Sequence, residues 1–329
     1  MIIRKSAPWQ SPADAVTPEH LFLNRRAIMK AAGAAGVGLL AGCGPTESAA
    51  QEAGGVPAEG ADLRFTESNY TVSDPQTPYE AVTTYNNYYE FGLDKGDPAR
   101  NAHALTTDPW SITVEGLAGR TGTFPLAEVV DFDALEERIY RLRCVEAWSM
   151  VIPWAGVPLS AVLSQFQPES GARYVQFETY LNRDEMPGVR TRVLDWPYVE
   201  GLRIDEAMND LAFVAVGLYG KALPKQNGAP VRILAPWKYG FKSAKSIATI
   251  RFVADQPKTS WNESNPREYG FYSNVNPDVS HPRWSQKTER VIGGSGLGAL
   301  LSRRDTEMFN GYEAQVASLY EGMDLRENY

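Results

Sequence analysis

The chain has 329 residues, 43% hydrophobic and 22% charged, with a formal net charge of −8. That length supports one large domain or two small ones, and the acidic balance argues against a nucleic-acid partner. With three histidines, and no C-x-x-C, Gly-rich phosphate loop or G-x-S-x-G elbow, a histidine-built haem or zinc site is disfavoured and three common catalytic motifs are missing.

Asn24-Arg25-Arg26 precedes a short, weakly apolar run interrupted by Lys30, which fits a twin-arginine export signal better than a membrane span. Leu40-Ala-Gly-Cys43 fits a lipobox, whose lipidated cysteine would tether the protein. Ser48-Ala-Ala50 fits a cleavage end that would release it. Residues 1–50 are therefore set apart from the fold as a signal region. The first 42 hold five basic and two acidic residues, so the remainder carries −11.

Residues 51–80, rich in Gly, Pro, Ala, Glu, Ser and Thr, read as a linker or extended arm, and 81–329 as the main folded domain. Tyr85-Asn-Asn-Tyr-Tyr-Glu90 is dense in aromatics and amides. Strands are predicted at 110–116, 138–145, 174–180, 213–217, 230–235 and 247–252, where apolar residues alternate or cluster between Gly and Pro. Short helical patterns occupy 125–135, the turn after Pro158, and 204–208. The segments Phe309–Tyr312 and Val316–Tyr320 are predicted to add one more strand. With 22 prolines and 28 glycines cutting the chain into short pieces, the fold class is β-rich α+β.

Cys144 stands out because the other cysteine, Cys43, closes the signal, and an unpaired thiol is a hazard in an oxidising compartment. Three readings are open: a nucleophile with His103 or His281 as its base, a metal ligand, or an inert packed thiol. Arg138, Arg141 and Arg143 would favour the thiolate by charge. On one strand, however, Arg141 and Arg143 point away from Cys144, so they are either structural or line a separate anionic site. Arg232 reads as an anion grip or a surface ion pair, and Lys238 and Lys242 equally as ligands or solvated charges. Tyr85, Tyr88, Tyr89 and Trp148 read as core or pocket wall.

Four motifs, in order, are Tyr85-Asn-Asn-Tyr-Tyr-Glu-Phe-Gly-Leu-Asp-Lys95, Arg143-Cys-Val-Glu-Ala-Trp-Ser-Met150, Leu223-Pro-Lys-Gln-Asn-Gly-Ala-Pro-Val-Arg232 and Pro236-Trp-Lys-Tyr-Gly-Phe-Lys242. With His281-Pro-Arg-Trp-Ser-Gln and the ending Asp324-Leu-Arg-Glu-Asn-Tyr329, the chain from about Phe65 onward closely resembles the MsrP family. These are molybdenum-cofactor catalytic subunits of periplasmic protein-methionine-sulfoxide reductases, within the sulfite-oxidase fold superfamily. The resemblance implies a sulfite-oxidase-type fold, a Mo-molybdopterin cofactor and Cys144 as the thiolate on molybdenum. It implies Asn86, Tyr89, Glu90, Thr179, Asn227, Arg232, Ser243, Ala244 and Lys245 as cofactor-binding residues. Arg232 would grip the phosphate by two parallel hydrogen bonds while Lys245 adds a point charge, and backbone N–H groups of 240–244 would cradle an anion.

It further implies oxidised periplasmic proteins as substrate and a haem-bearing membrane subunit as electron donor. Sulfite oxidases carry Arg-Asn-His where this chain has Asn86-Asn87-Tyr88, a loss of positive charge that suits a neutral sulfoxide. A small S- or N-oxide oxidoreductase and a non-catalytic lipoprotein are the competing functions.

Overall fold

The computed structural model describes residues 56–293 and 302–329. The twin-arginine motif, Cys43 and the start of the arm lie outside the described residues. Residues 56–80 run along the domain: Thr66–Glu67 (β1) pairs in parallel with the strand Glu136–Cys144, and Asp74 pairs with Arg141 at 2.7 Å. Thirteen strands in two sheets carry the described fold, joined by short helical turns.

In chain order the next strands are Ser111–Gly116 (β2), Gly122–Pro125 (β3), Glu136–Cys144 (β4) and Trp148–Pro158 (β5). They are followed by Tyr174–Thr179 (β6), Val199–Arg203 (β7), Phe213–Leu218 (β8), Lys221–Ala222 (β9) and Arg232–Leu234 (β10). Ile247–Val253 (β11), Thr288–Val291 (β12) and Arg303–Asp305 (β13) complete the set. One sheet runs β3-β2-β11-β6-β7. The other is centred on β5, which pairs β4 along one side and splits its other side between β12 at its start and β8 at its end.

β5 was not anticipated from the sequence. Ten of its eleven residues are buried, so both faces are covered and the apolar–polar alternation that marks a strand is absent. It carries a bulge against β8 between Ala155 and Gly156, where a Cβ on Gly156 would lie 1.9 Å from the Val214 carbonyl oxygen. The main apolar core draws side chains from both sheets, with Trp154, Phe166, Phe177, Phe213 and Phe252 each at most 1% exposed.

The strands predicted at 110–116, 138–145, 174–180, 213–217, 230–235 and 247–252 form within two residues of those bounds, and helices form at Leu159–Ser164 and Ile204–Ala207; of the pattern at 125–135 only Leu126–Val129 is helical. The extra strand near the C-terminus does not. Met308–Gly311 and Ala317–Tyr320 are 3-10 turns flanking the α-helix Glu313–Val316, with Phe309 and Asn310 in left-handed backbone at φ 51° and 57°. The buried residues Phe309, Tyr312, Val316 and Tyr320 recur every three or four positions, which is the period of a helix and not of a strand.

Candidate active site

Cys144 ends β4 and opens the tight turn into β5. The Ala147 N–H closes that turn on the Cys144 carbonyl at 3.1 Å, with Ala147 at φ 61°. The thiol faces a cavity of about 520 Å³ whose lining is drawn from segments as distant as Val82 and Trp284. Its neighbours are the Glu146 N–H at 3.4 Å, the Asn87 amide at 3.5 Å and the Glu146 carboxylate at 3.8 Å. Burial pushes the thiol pKa up to about 12, with the Glu146 charge adding to it. Alone, this sulfur stays protonated; a bound cation would draw off the proton and hold the thiolate.

The nucleophile reading fails on geometry. No histidine among the described residues lines this cavity; His103 is exposed and bonded to the Arg100 carbonyl, while His281 sits against Glu268 at 3.2 Å. The arginine cluster proves structural. Arg138 pairs with Glu136 at 2.5 Å, Arg141 with Asp74 at 2.7 Å and Arg143 with Glu289 at 2.6 Å. Lys238 and Lys242 are not solvated charges: each is fully buried against a carboxylate at 2.6 Å, Glu206 and Glu200 respectively. No group of three or more His, Cys, Asp or Glu among the described residues could cage a metal ion. A metal here would take one protein sulfur and the rest of its donors from another molecule.

Around the thiol, the predicted residues converge on the cavity. Asn86 and Asn227 both donate their amides to the Val82 carbonyl, at 2.8 and 3.0 Å, and leave their side-chain oxygens without partners. Thr179 Oγ1, at the end of β6, is also buried without a partner, and so is Arg232 Nε. Arg232 donates to the Asn227 carbonyl at 2.8 Å and lies over the Trp154 ring at 4.9 Å. No carboxylate pairs with it among the described ion pairs, and burial lowers its pKa to about 10. Lys245 is pushed down to about 8 by burial and then by the neighbouring Arg232 charge. Burial raises Glu90 to about 7 against the pull of Lys245. Tyr89 packs edge-on to Trp261, ring centres 5.4 Å apart.

Ser243 and Ala244 do not line the cavity. They stand behind Arg232, which donates to the Ser243 carbonyl at 3.5 Å, while the Ala244 carbonyl accepts from Ile233 at 2.9 Å. Of the proposed backbone cradle, the Lys242 and Ser243 N–H groups are spent on the carbonyls of Tyr239 and Gly240.

Sequence reasoning missed the ring around the thiol. Glu146 accepts from Lys95 at 3.0 Å, Trp148 Nε1 at 2.9 Å and Asn87 at 3.1 Å; although burial opposes ionisation, these donors hold its carboxyl below the usual range. Glu146 lies only two residues beyond Cys144 in the quoted motif, which was the available signal. Trp261, Tyr269, Arg283 and Trp284 form the outer wall.

The family model "Oxidoreductase molybdopterin binding domain" matches residues 99–261. The protein-methionine-sulfoxide reductase catalytic subunit MsrP of Ralstonia nicotianae is 55% identical over 96% of this chain and 95% of its own length. That of Pseudomonas syringae pv. tomato is 51% identical, with both chains fully covered. The chain belongs to the MsrP family. The solved structure of sulfane dehydrogenase SoxCD from Paracoccus pantotrophus aligns at 14% identity and a TM-score of 0.43, over 69% of this chain and 59% of that one.

The lining suits the cofactor of an MsrP protein. Arg232 and the half-buried Lys245, neither with a carboxylate within ion-pair distance among the described residues, match a phosphate. The orphaned oxygens of Asn86, Asn87, Asn227 and Thr179 match a flat heterocycle rich in N–H groups, which buried polar atoms otherwise lack. A soft, single thiolate matches molybdenum whose other donors come with the pterin.

Proposed function

We propose that this chain is the molybdenum-cofactor catalytic subunit that reduces methionine sulfoxide residues in periplasmic proteins. Overall, sulfoxide, two electrons and two protons give thioether and water. When bound, the molybdenum–pterin group supplies the two-electron oxygen-atom transfer that no side chain can perform. The protein's own part is placement. Cys144 would supply one sulfur ligand, Arg232 and Lys245 would hold the phosphate, and the side-chain oxygens of Asn86, Asn227 and Thr179 would accept hydrogen bonds from the pterin. Tyr89, Glu90, Ser243 and Ala244 complete the cofactor-binding set, the last two by bracing Arg232. Tyr85, Trp148, Trp261 and Trp284 make an aromatic mouth suited to a methyl thioether, since sulfur packs favourably against ring edges.

The observation that carries this reading is the free thiol sharing one cavity with Arg232 and Lys245, neither of which has a carboxylate within ion-pair distance among the described residues. Sulfite is disfavoured because the charge beside Cys144 is the Glu146 carboxylate, whose cation Lys95 is already engaged at 2.8 Å. Electrons would come from a haem-bearing membrane subunit and the quinone pool. Export would follow the twin-arginine route, and a lipid anchor, if present, would be carried on Cys43. No helix among the described residues is long and apolar enough to cross a membrane.

The test is elemental analysis of the exported protein, followed by assays with an artificial reductant on peptide methionine sulfoxide and on sulfite. About one molybdenum per chain with sulfoxide turnover is expected. Folded protein without molybdenum, or turnover of sulfite alone, would sink the assignment.

A further inference from the structure

β12 and β13 form an antiparallel pair in which Arg290 and Arg303 stand directly opposite each other. Both are exposed, and neither has a carboxylate within ion-pair distance among the described residues. Like charges facing across a strand pair are destabilising, so a nearby anion would relieve this arrangement. Arg290 donates to the Tyr85 hydroxyl at 2.8 Å, and Arg303 to the Thr288 hydroxyl at 2.7 Å, which fixes both side chains at one place.

The two arginines line an open groove of about 470 Å³, together with Lys95 and Ser285. The groove shares Tyr85, Glu146, Trp148 and Trp284 with the wall of the Cys144 cavity, so the two hollows adjoin. Its one carboxylate, Glu146, is neutralised by Lys95 at 2.8 Å. The result is a local surplus of two positive charges on a chain of net charge −8. Such an inverted patch steers acidic ligands and sets orientation.

We propose that this groove docks the polypeptide on one side of the substrate methionine sulfoxide, and that it prefers acidic residues there. The inference rests on the reductase reading and adds a substrate class to it. Flanking residues exist only in peptide and protein substrates, so the preference is read on those.

The test uses molybdenum-loaded full-length enzyme and synthetic peptides, each with one methionine sulfoxide flanked by aspartates, asparagines or lysines. At low salt kcat/KM should be about fivefold higher for the aspartate than the asparagine peptide, the scale of an exposed charge pair. That ratio should fall toward one at about 1 M salt, where screening reaches ~3 Å. Arg303→Gln should reduce the ratio and Arg303→Glu should favour the lysine peptide. Equal rates on all three peptides, or a preference untouched by salt and by Arg303→Glu, would overturn the docking groove and leave the reductase reading standing. No reduction of any peptide would overturn both.

Discussion

Replacing Cys144 by serine exchanges a soft, polarisable ligand for a hard oxygen without changing the shape of the turn at the end of β4. The site is 7% exposed and its hydrogen-bonding neighbours accept either atom. Turnover should fall by about a hundredfold or more while near-UV circular dichroism and Tm stay close to the parent; full activity in the variant would contradict the ligand role. Arg232 gives an opposite kind of signature. Its guanidinium is buried with an unpaired Nε and no carboxylate beside it. Arg232→Met should therefore stabilise the cofactor-free protein by about 1–3 kcal/mol in urea titration while lowering molybdenum content. Much at this scale was legible in advance, because the motifs around Cys144, Asn86 and Arg232 are contiguous in sequence. The partners of the arginines were not: Arg143 meets Glu289, Gln286 and Thr306, all more than 140 positions away.

Among the elements, the seam between β1 and β4 has a cost that pH should reveal. Glu67 and Glu137 are register partners across it. Burial, followed by the Glu67 charge, raises Glu137 to about 7 from an ordinary 4.5. Between those values the folded protein keeps a proton that the unfolded chain has released, so stability declines as pH rises through that window. Glu137→Gln has no such titration and should gain about 1–2 kcal/mol on the parent between pH 4.5 and 7.5, after allowance for screening at this partly exposed site. Denaturant midpoints at the two pH values measure it, and a constant difference would refute it. Half-buried strands such as β2, β6 and β11 could be read from the chain because one face alternates with the other. β5 is hidden for the reason that makes it central, since neighbours on every side leave no polar face. The C-terminal turns misled because short aromatic runs suit both periods until enough positions accumulate.

At the level of the whole molecule, the cavity concentrates burial costs that the cofactor should repay. Buried oxygens of Asn86, Asn227 and Thr179 lack partners, and Arg232 and Lys245 repel each other. A ligand that satisfies these groups and binds only the folded form must raise its stability. Protein from cells unable to make the cofactor should melt several degrees lower than loaded protein by calorimetry. Coincident melting curves would show that the lining does not hold the group. The β-rich α+β class was legible in the sequence, and the fold brings Asn86, Cys144, Thr179, Asn227, Arg232 and Lys245 to one cavity while Ser243 and Ala244 stay outside its lining. Which surface charges face each other, as at Arg290 and Arg303, emerges only once β12 and β13 are paired.

The lining of the Cys144 cavity reaches from Val82 to Trp284, and Arg143, which donates to the Cys144 carbonyl, is itself clamped by Glu289 and Thr306. A nascent chain still missing its last fifty residues thus lacks the clamp that steadies the sulfur. The cofactor would then seat only in a finished chain, and under the proposed twin-arginine route the passenger would cross the membrane already charged.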